Sequence, residues 1–429
     1  MISVLHITPH LGGGVGKALS GLIKQSILNS SYVRHVIVCL EKPVKDQFLN
    51  KIQCCGGEVI IRPSQSELDQ LISTVDIVQL EWWNHPATIE CLTRLALQPI
   101  RLVVWCHVSG IHNPIIPSKL IEESHRFLLT SPCSFEAKEI ASLSKRLKKK
   151  IAVVSSGGGF EELPNICSNE NKVISVGYFG SLNFAKLHPK YVDFLSAVNI
   201  PNFKVKLIGD LLNRETLENQ CNAAGRIGML DFRGYSTEVF SELSTINVLA
   251  YLLNPHHYGT AENALLEAMS MGIVPIVLDN SAELNIVEHQ RTGLIVHTRS
   301  EFAEAIDWLA HNPKERLDIG SRAALTIRDR FSFQNMNALF FNYYEEVNRE
   351  NKRIIVFSNI FGISPAEWFT SCQRESEIFM VDGTIQLKSG KKPSYDLYEK
   401  TKGSVFHFNQ YYPESFLLKA WAKNLEVLQ

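Results

Sequence analysis

The residues best spaced for chemistry lie in residues 254–280, NPHHYGTAENALLEAMSMGIVPIVLDN. An apolar run at 248–252 reads as a strand, and Glu262 opens a helical pattern in which Leu265, Leu266 and Met269 share an apolar face. Asn263 and Glu267 are four apart and so project from one face near the start of that helix. Gly272 ends it, and residues 273–277 return as a strand. A helix that starts at the carboxyl end of a strand presents unpaired N–H groups, here around Thr260–Asn263, to a diphosphate. Glu267, one turn further in, is placed to accept hydrogen bonds from ribose hydroxyls. Glu262 reads as a first-turn carboxylate that serves the helix dipole. His256 and His257 have no acidic partner at metal-ligand spacing and read as loop residues.

A second candidate is the turn LGGGVGKAL at 11–19, where Gly13 and Gly14 let the backbone approach a ligand closely. It is not a nucleotide-triphosphate loop, because Leu11 and Ala18 stand where that motif needs glycine and a hydroxyl residue. It is not a dinucleotide fingerprint either, since Gly12, Gly14 and Gly16 are spaced by twos. With no Asp-x-Asp and no clustered His/Cys ligands, no metal and no cofactor are expected. The basic run at 144–150, SKRLKKK, reads either as a solvated helix end or as a contact to an anionic membrane surface. Trp82 and Trp83 read either as core or as lining for an acceptor.

The elements that must position these residues alternate between short apolar runs and helical stretches. The runs fall at 3–8, 33–39, 58–61, 77–80, 102–105 and 127–130, then at 173–179, 204–208, 229–232, 248–252, 274–277 and 293–296. A helix is expected over 17–28, after a turn at 9–16. Strands alternating with helices predict parallel sheets covered on both faces, an α/β fold. The two series predict two lobes, 1–165 and 166–350, joined near 165–171, with residues 332–350 as a closing helix. Residues 351–429 differ in texture and are expected to form a small accessory module.

Composition sets the outer bounds. The chain has 429 residues, a formal net charge of −1, 45% hydrophobic and 20% charged residues. Nothing in this balance attracts nucleic acid. Nine scattered cysteines, without a CxxC, fit reduced thiols, and no run is long and apolar enough for a membrane span. The expected location is cytoplasmic, with peripheral attachment to the inner membrane face as an added possibility from the basic run.

Over residues 173–347 the sequence resembles the group 1 glycosyltransferases, retaining enzymes of the GT-B fold with a Glu-x7-Glu motif. Pro255, Tyr258, Glu267, Ala268, Met269, Gly272, Pro275 and Val277 stand in register with that motif. GSLNFAK keeps Gly180, Leu182 and Lys186 of a Gly-Arg-Leu…Lys element but carries Ser181 for the arginine. VKLIGD, ending in Gly209 and Asp210, and FRGY, with Gly234 and Tyr235, match the next two, the latter a loop that holds the nucleotide base. In WCHVSG, His107 follows a strand where the family keeps a histidine near the transferred sugar. The first glutamate of the motif would fall at Gly259 and is absent. The resemblance implies two Rossmann-like lobes facing a cleft. It also implies transfer from a nucleotide-sugar donor to a glycan or lipid-linked acceptor with retention. The roles implied are His107, Lys186 and Glu262 in catalysis. For the donor they are Gly13, Gly14, Ser181, Lys186, Gly234, Tyr235, Gly259, Thr260, Asn263 and Glu267. Two readings stay open beside it, a nucleotide-sugar epimerase of similar fold and a non-catalytic nucleotide-sugar-binding protein.

Overall fold

The structure is a computed structural model that describes residues 1–29, 32–160, 163–164, 173–387 and 394–428. The expected joint at 165–171 lies outside the described residues. The chain packs as two compact units, one of residues 1–157, 258–261 and 333–429, the other of residues 158–257 and 262–332.

In the first unit, seven parallel strands run β1 (Ile2–Thr8), β2 (Val33–Cys39), β3 (Glu58–Ile61), β4 (Ile77–Trp82), β5 (Leu102–Cys106), β6 (Arg126–Leu129) and β7 (Ile151–Val153) in the chain, and β3-β2-β1-β4-β5-β6-β7 across the sheet. The strands are near-continuous apolar runs because both faces are covered. β7 is the strand that the sequence pattern missed, being only three residues long.

The helix Gly13–Leu28 starts four residues earlier than expected, inside the glycine turn. Gly13 has φ +56°, a backbone region that glycine enters without a Cβ penalty.

The closing helix Phe333–Asn348 belongs to this first unit, not to the second lobe where the sequence placed it. Phe333, Met336, Phe340 and Tyr344 bury against Leu19 and Leu22. Residues 351–429 are likewise no separate module: Phe361, Trp368, Phe369, Phe408 and Trp421 share a core with Ile89, Leu92 and Trp82. Trp82 is fully buried and stacks on Phe361 with ring centroids 5.2 Å apart, so of its two readings the core one holds. Each large apolar side chain so buried contributes about 1.5–3 kcal/mol, enough for a short, irregular segment to dock firmly.

The second unit has six parallel strands, β8 (Val176–Phe179), β9 (Val205–Ile208), β10 (Leu230–Gly234), β11 (Val248–Tyr251), β12 (Val274–Leu278) and β13 (Leu294–Val296), in the order β10-β9-β8-β11-β12-β13. The helices Asn263–Ser270 and Pro313–Arg330 pack on one another beside β12, and Gly320 permits this because a Cβ there would stand 2.1 Å from the Gly272 carbonyl oxygen. Among the described residues no helix is long and apolar enough to cross a membrane.

Candidate functional site

In the second unit the candidate residues gather at the carboxyl ends of β8, β9, β10 and β11, the end of a parallel sheet where ligands bind. β8 and β9 end almost in contact: a Cβ on Gly209 would lie 1.8 Å from the Gly180 carbonyl oxygen. Ser181, standing where an arginine is expected, donates its hydroxyl to Asp210 at 2.5 Å and accepts from Asn183 at 2.6 Å. The loop that follows is tied to the end of β11, with the Asn254 N–H donating to the Lys186 carbonyl at 2.7 Å and the Asn254 side chain to the Phe184 carbonyl at 2.7 Å. Lys186 therefore has a fixed backbone. Gly234 ends β10 at φ +76°, and Tyr235 after it is exposed.

The ammonium of Lys186 lies 3.1 Å from Glu262 Oε2, and the same oxygen accepts the Tyr251 hydroxyl at 2.5 Å. Glu262 is the residue preceding the helix Asn263–Ser270, is 3% exposed, and has φ +40° and ψ +55°. That left-handed backbone is uncommon for a residue with a Cβ and is held only where the surroundings over-determine it. Its other oxygen, Oε1, accepts no hydrogen bond. Burial opposes ionisation of Glu262 most strongly, but Lys186, His257 and the Tyr251 hydroxyl together outweigh it and hold the carboxyl below its ordinary value. In this geometry Glu262 is a buried counter-ion of Lys186.

His257 is not an unpartnered loop residue. Its Nε2 lies 3.3 Å from Glu283 and its Nδ1 3.8 Å from Glu262, all three side chains being buried. The sequence could not reveal this, because Glu283 follows 26 residues later on another element and no spacing rule links them. Burial disfavours the imidazolium, yet the two carboxylates prevail and raise its pKa. Burial raises Glu283, with His257 only partly offsetting it. His257 Nε2 thus faces Glu283 within hydrogen-bond reach, while Nδ1 faces Glu262 Oε1 beyond it. Asn263 has a buried side-chain oxygen without a hydrogen-bond partner, and Glu267 is buried one turn further along the same helix.

The first unit holds Gly13 and Gly14 at the head of the helix Gly13–Leu28, and His107 directly after β5. His107 Nε2 lies 2.9 Å from Glu81 Oε2, Glu81 Oε1 lies 3.1 Å from His6, His6 is 2.9 Å from His35, and His35 is 3.0 Å from the Ser26 hydroxyl. Burial works against the charge of Glu81, but the hydrogen bonds from His107 and His6 outweigh it and lower its pKa. Burial and the neighbouring His6 hold His35 well below the usual histidine value. Glu81, His6 and His35 were missed because two-residue alternation makes them look like ordinary strand positions; only the pairing of β1 with β2 and β4 stacks them. Residues 258–261 pack in this unit too: Thr260 Oγ1 is 2.7 Å from Thr130 Oγ1, and the Tyr258 carbonyl accepts from the Ser109 N–H at 3.1 Å. The expected catalytic and donor-binding residues are therefore divided, with Gly13, Gly14, His107, Gly259 and Thr260 in the first unit and Ser181, Lys186, Gly234, Tyr235, Glu262, Asn263 and Glu267 in the second. A cavity of about 690 Å³ in the second unit, bounded by His289, Leu294 and Trp308, contains none of them. In the basic run, Lys150 donates to the carbonyls of Glu122 and Ser124, and Lys148 to that of Ala141.

Residues 160–326 match the family model described as "Glycosyl transferases group 1". HepE from Anabaena, crystallised with UDP and glucose, is similar at 15% identity and a TM-score of 0.64, over 81% of this chain and 100% of that one. A TarM variant from S. aureus, crystallised with UDP, Fondaparinux and a glycerol glycoside of GlcNAc, is similar at 10% identity and a TM-score of 0.65, over 80% of this chain and 100% of that one. Sucrose-phosphate synthase from Thermosynechococcus elongatus follows at 12% identity and a TM-score of 0.59, over 81% and 99% of the two chains. No curated protein sequence matches the chain. The two parallel sheets with their helices are thus the two α/β lobes of the GT-B fold.

Proposed function

We propose that the chain is a glycosyltransferase that takes a sugar from a nucleoside-diphosphate donor, with UDP-sugars the first donors to test. The observation that carries this is the Lys186–Glu262–Tyr251 constellation beside the helix Asn263–Ser270, within the residues that match the family model. Two of the similar structures bear UDP, which supports the choice of nucleotide.

As the bond between the sugar C1 and the diphosphate oxygen breaks, negative charge grows on the leaving phosphate. Lys186, aimed by Glu262, stabilises that charge together with the N–H groups at the helix start. Glu267 anchors the ribose, and Gly234 and Tyr235 meet the base. His107, oriented by Glu81, meets the sugar or positions the acceptor hydroxyl. The transfer proceeds with retention and without a metal, and the acceptor is a glycan or lipid-linked sugar.

The test is calorimetry and turnover with UDP-sugars on wild type and Lys186→Met. Wild type binds and hydrolyses or transfers, while the variant loses turnover by at least about a hundredfold. Full turnover in the variant overturns the assignment. Binding of UDP-sugar by wild type without turnover on any acceptor favours the binding-protein reading, which the serine at 181 and the glycine at 259 motivate.

A further inference from the structure

A second cluster lies entirely in the first unit, at the carboxyl ends of β1 and β4, and the chemistry assigned above does not use it. His10 follows β1, Trp83 and His85 follow β4, and Lys402, His407 and Tyr411 come from the carboxyl-terminal segment. The rings interlock: His85 is 4.8 Å from His407, 6.0 Å from His10 and 5.4 Å from Trp83, centroid to centroid. Lys402 Nζ lies 2.6 Å from His10 Nε2 and 5.8 Å from the Trp83 ring centre.

The ring protons are fixed by the backbone. His10 Nδ1 accepts from the Gly12 N–H at 3.0 Å, His85 Nδ1 from the Ala87 N–H at 3.2 Å, and His407 Nδ1 from the Gly403 N–H at 3.0 Å. A nitrogen that accepts carries no proton, so in each neutral ring the proton sits on Nε2. Three rings thus present N–H donors beside an ammonium. Between His10 and Lys402, donor meets donor at 2.6 Å with no acceptor between. His85 is 1% exposed, and its Nε2 has no hydrogen-bond partner. The nearest carboxylate, Glu41, is 3.7 Å from it, too far to accept. His10, Glu41 and His85 are close enough for a metal by distance alone. Their tautomers oppose one, since a ligating Nε2 must be bare and its Nδ1–H must donate.

We propose that His10, His85, His407 and Lys402 form a binding site for a phosphate-type oxyanion. The oxyanion accepts from Lys402 and from the Nε2–H groups of the histidines, and so removes the donor–donor conflict. Adjoining it is a cavity of about 570 Å³, which shares Glu41 and Tyr411 with the cluster and whose other charged lining is Lys42, Arg62, Arg94 and Glu90. It has room for the remainder of a phosphorylated sugar. That this anion belongs to the acceptor rests on the transferase reading above; the anion site itself does not.

Burial and the neighbouring cations hold His10 and His407 at about 4 and His85 at about 2. Glu41, Lys402, Tyr411 and the rings themselves are the titratable groups that face one another here. A bound anion reverses the cationic repulsion and so raises these values.

The experiment is calorimetric titration of the full chain with inorganic phosphate at pH 7.5, with and without saturating UDP. Wild type binds phosphate in both cases. Lys402→Gln weakens binding at least about tenfold, and Glu41→Gln, which removes the opposing charge, tightens it. A phosphorylated sugar such as glucose 1-phosphate binding more tightly than free phosphate identifies the acceptor as the source; equal affinity identifies free phosphate as the ligand. Absent binding, indifference to both substitutions, competition by UDP, or Zn²⁺ binding that phosphate does not rival each overturns the site. A protein that binds phosphate but turns over no nucleotide sugar keeps this site and loses only the transferase reading.

Discussion

Replacing Glu262 by Gln keeps the shape of the side chain and deletes its charge. The Tyr251 hydroxyl keeps an acceptor, but Lys186 loses its counter-ion at 3.1 Å and His257 one of its two. Breaking a fully buried pair costs about 3–5 kcal/mol. Lys186 is 19% exposed and partly screened, which brings the expected cost to about 2 kcal/mol. For a unit of this size that corresponds to about 4–8 °C in melting temperature.

The pH profile distinguishes this from a generic packing loss. Glu262 is held below its ordinary 4.5, so its contribution is present above about that pH and is lost as pH falls through the folded value. His257 is raised above 6.5, so its contribution is full below that pH and is lost as pH rises through the folded value. Glu283, also raised, favours the fold below 4.5 and progressively less as pH rises. Melting curves of both proteins from pH 3 to 9 should show a difference that is largest near pH 5–6.5 and closes on the acid side. In the variant the alkaline decline should begin at lower pH, because one carboxylate that raises His257 is gone. A difference that stays constant across the whole range refutes the charge-pairing account.

The remaining expectations are brief. Glu267→Gln removes a charged acceptor worth about 1.5–3 kcal/mol, so calorimetry should give UDP affinity about tenfold to a hundredfold lower; unchanged affinity removes Glu267 from the ribose site. Gly320→Ala drives a Cβ to 2.1 Å from the Gly272 carbonyl oxygen, so the variant should melt well below wild type while its isolated nucleotide affinity at low temperature is kept. A chain ending at Glu350 strips Phe361, Trp368, Phe408 and Trp421 from the core around Trp82 and should aggregate on expression; a soluble, cooperatively melting truncation contradicts that packing. Turnover of a UDP-sugar should survive EDTA, and its abolition with recovery on Mn²⁺ or Mg²⁺ contradicts metal-independent transfer.

The sequence by itself determined the strand series and hence the α/β class. A buried parallel strand is a local apolar run, and β2 and β3 fall where that run predicts, at 33–39 and 58–61. It also placed Glu262, Asn263 and Glu267 at a helix start, since caps, turns and helix faces depend on neighbours a few residues away, whereas Lys186 was singled out only by the family resemblance. Tertiary structure alone decided which carboxylate meets which cation: Glu262 reaches back 76 positions to Lys186, and His257 forward to Glu283. It likewise decided that residues 333–429 complete the first unit. Their aromatic residues are visible in the sequence, but an apolar side chain carries no record of which apolar surface it will cover. The tautomers of His10, His85 and His407 come from backbone N–H groups two to four residues away, yet their convergence exists only because the far end of the chain folds back onto β1 and β4.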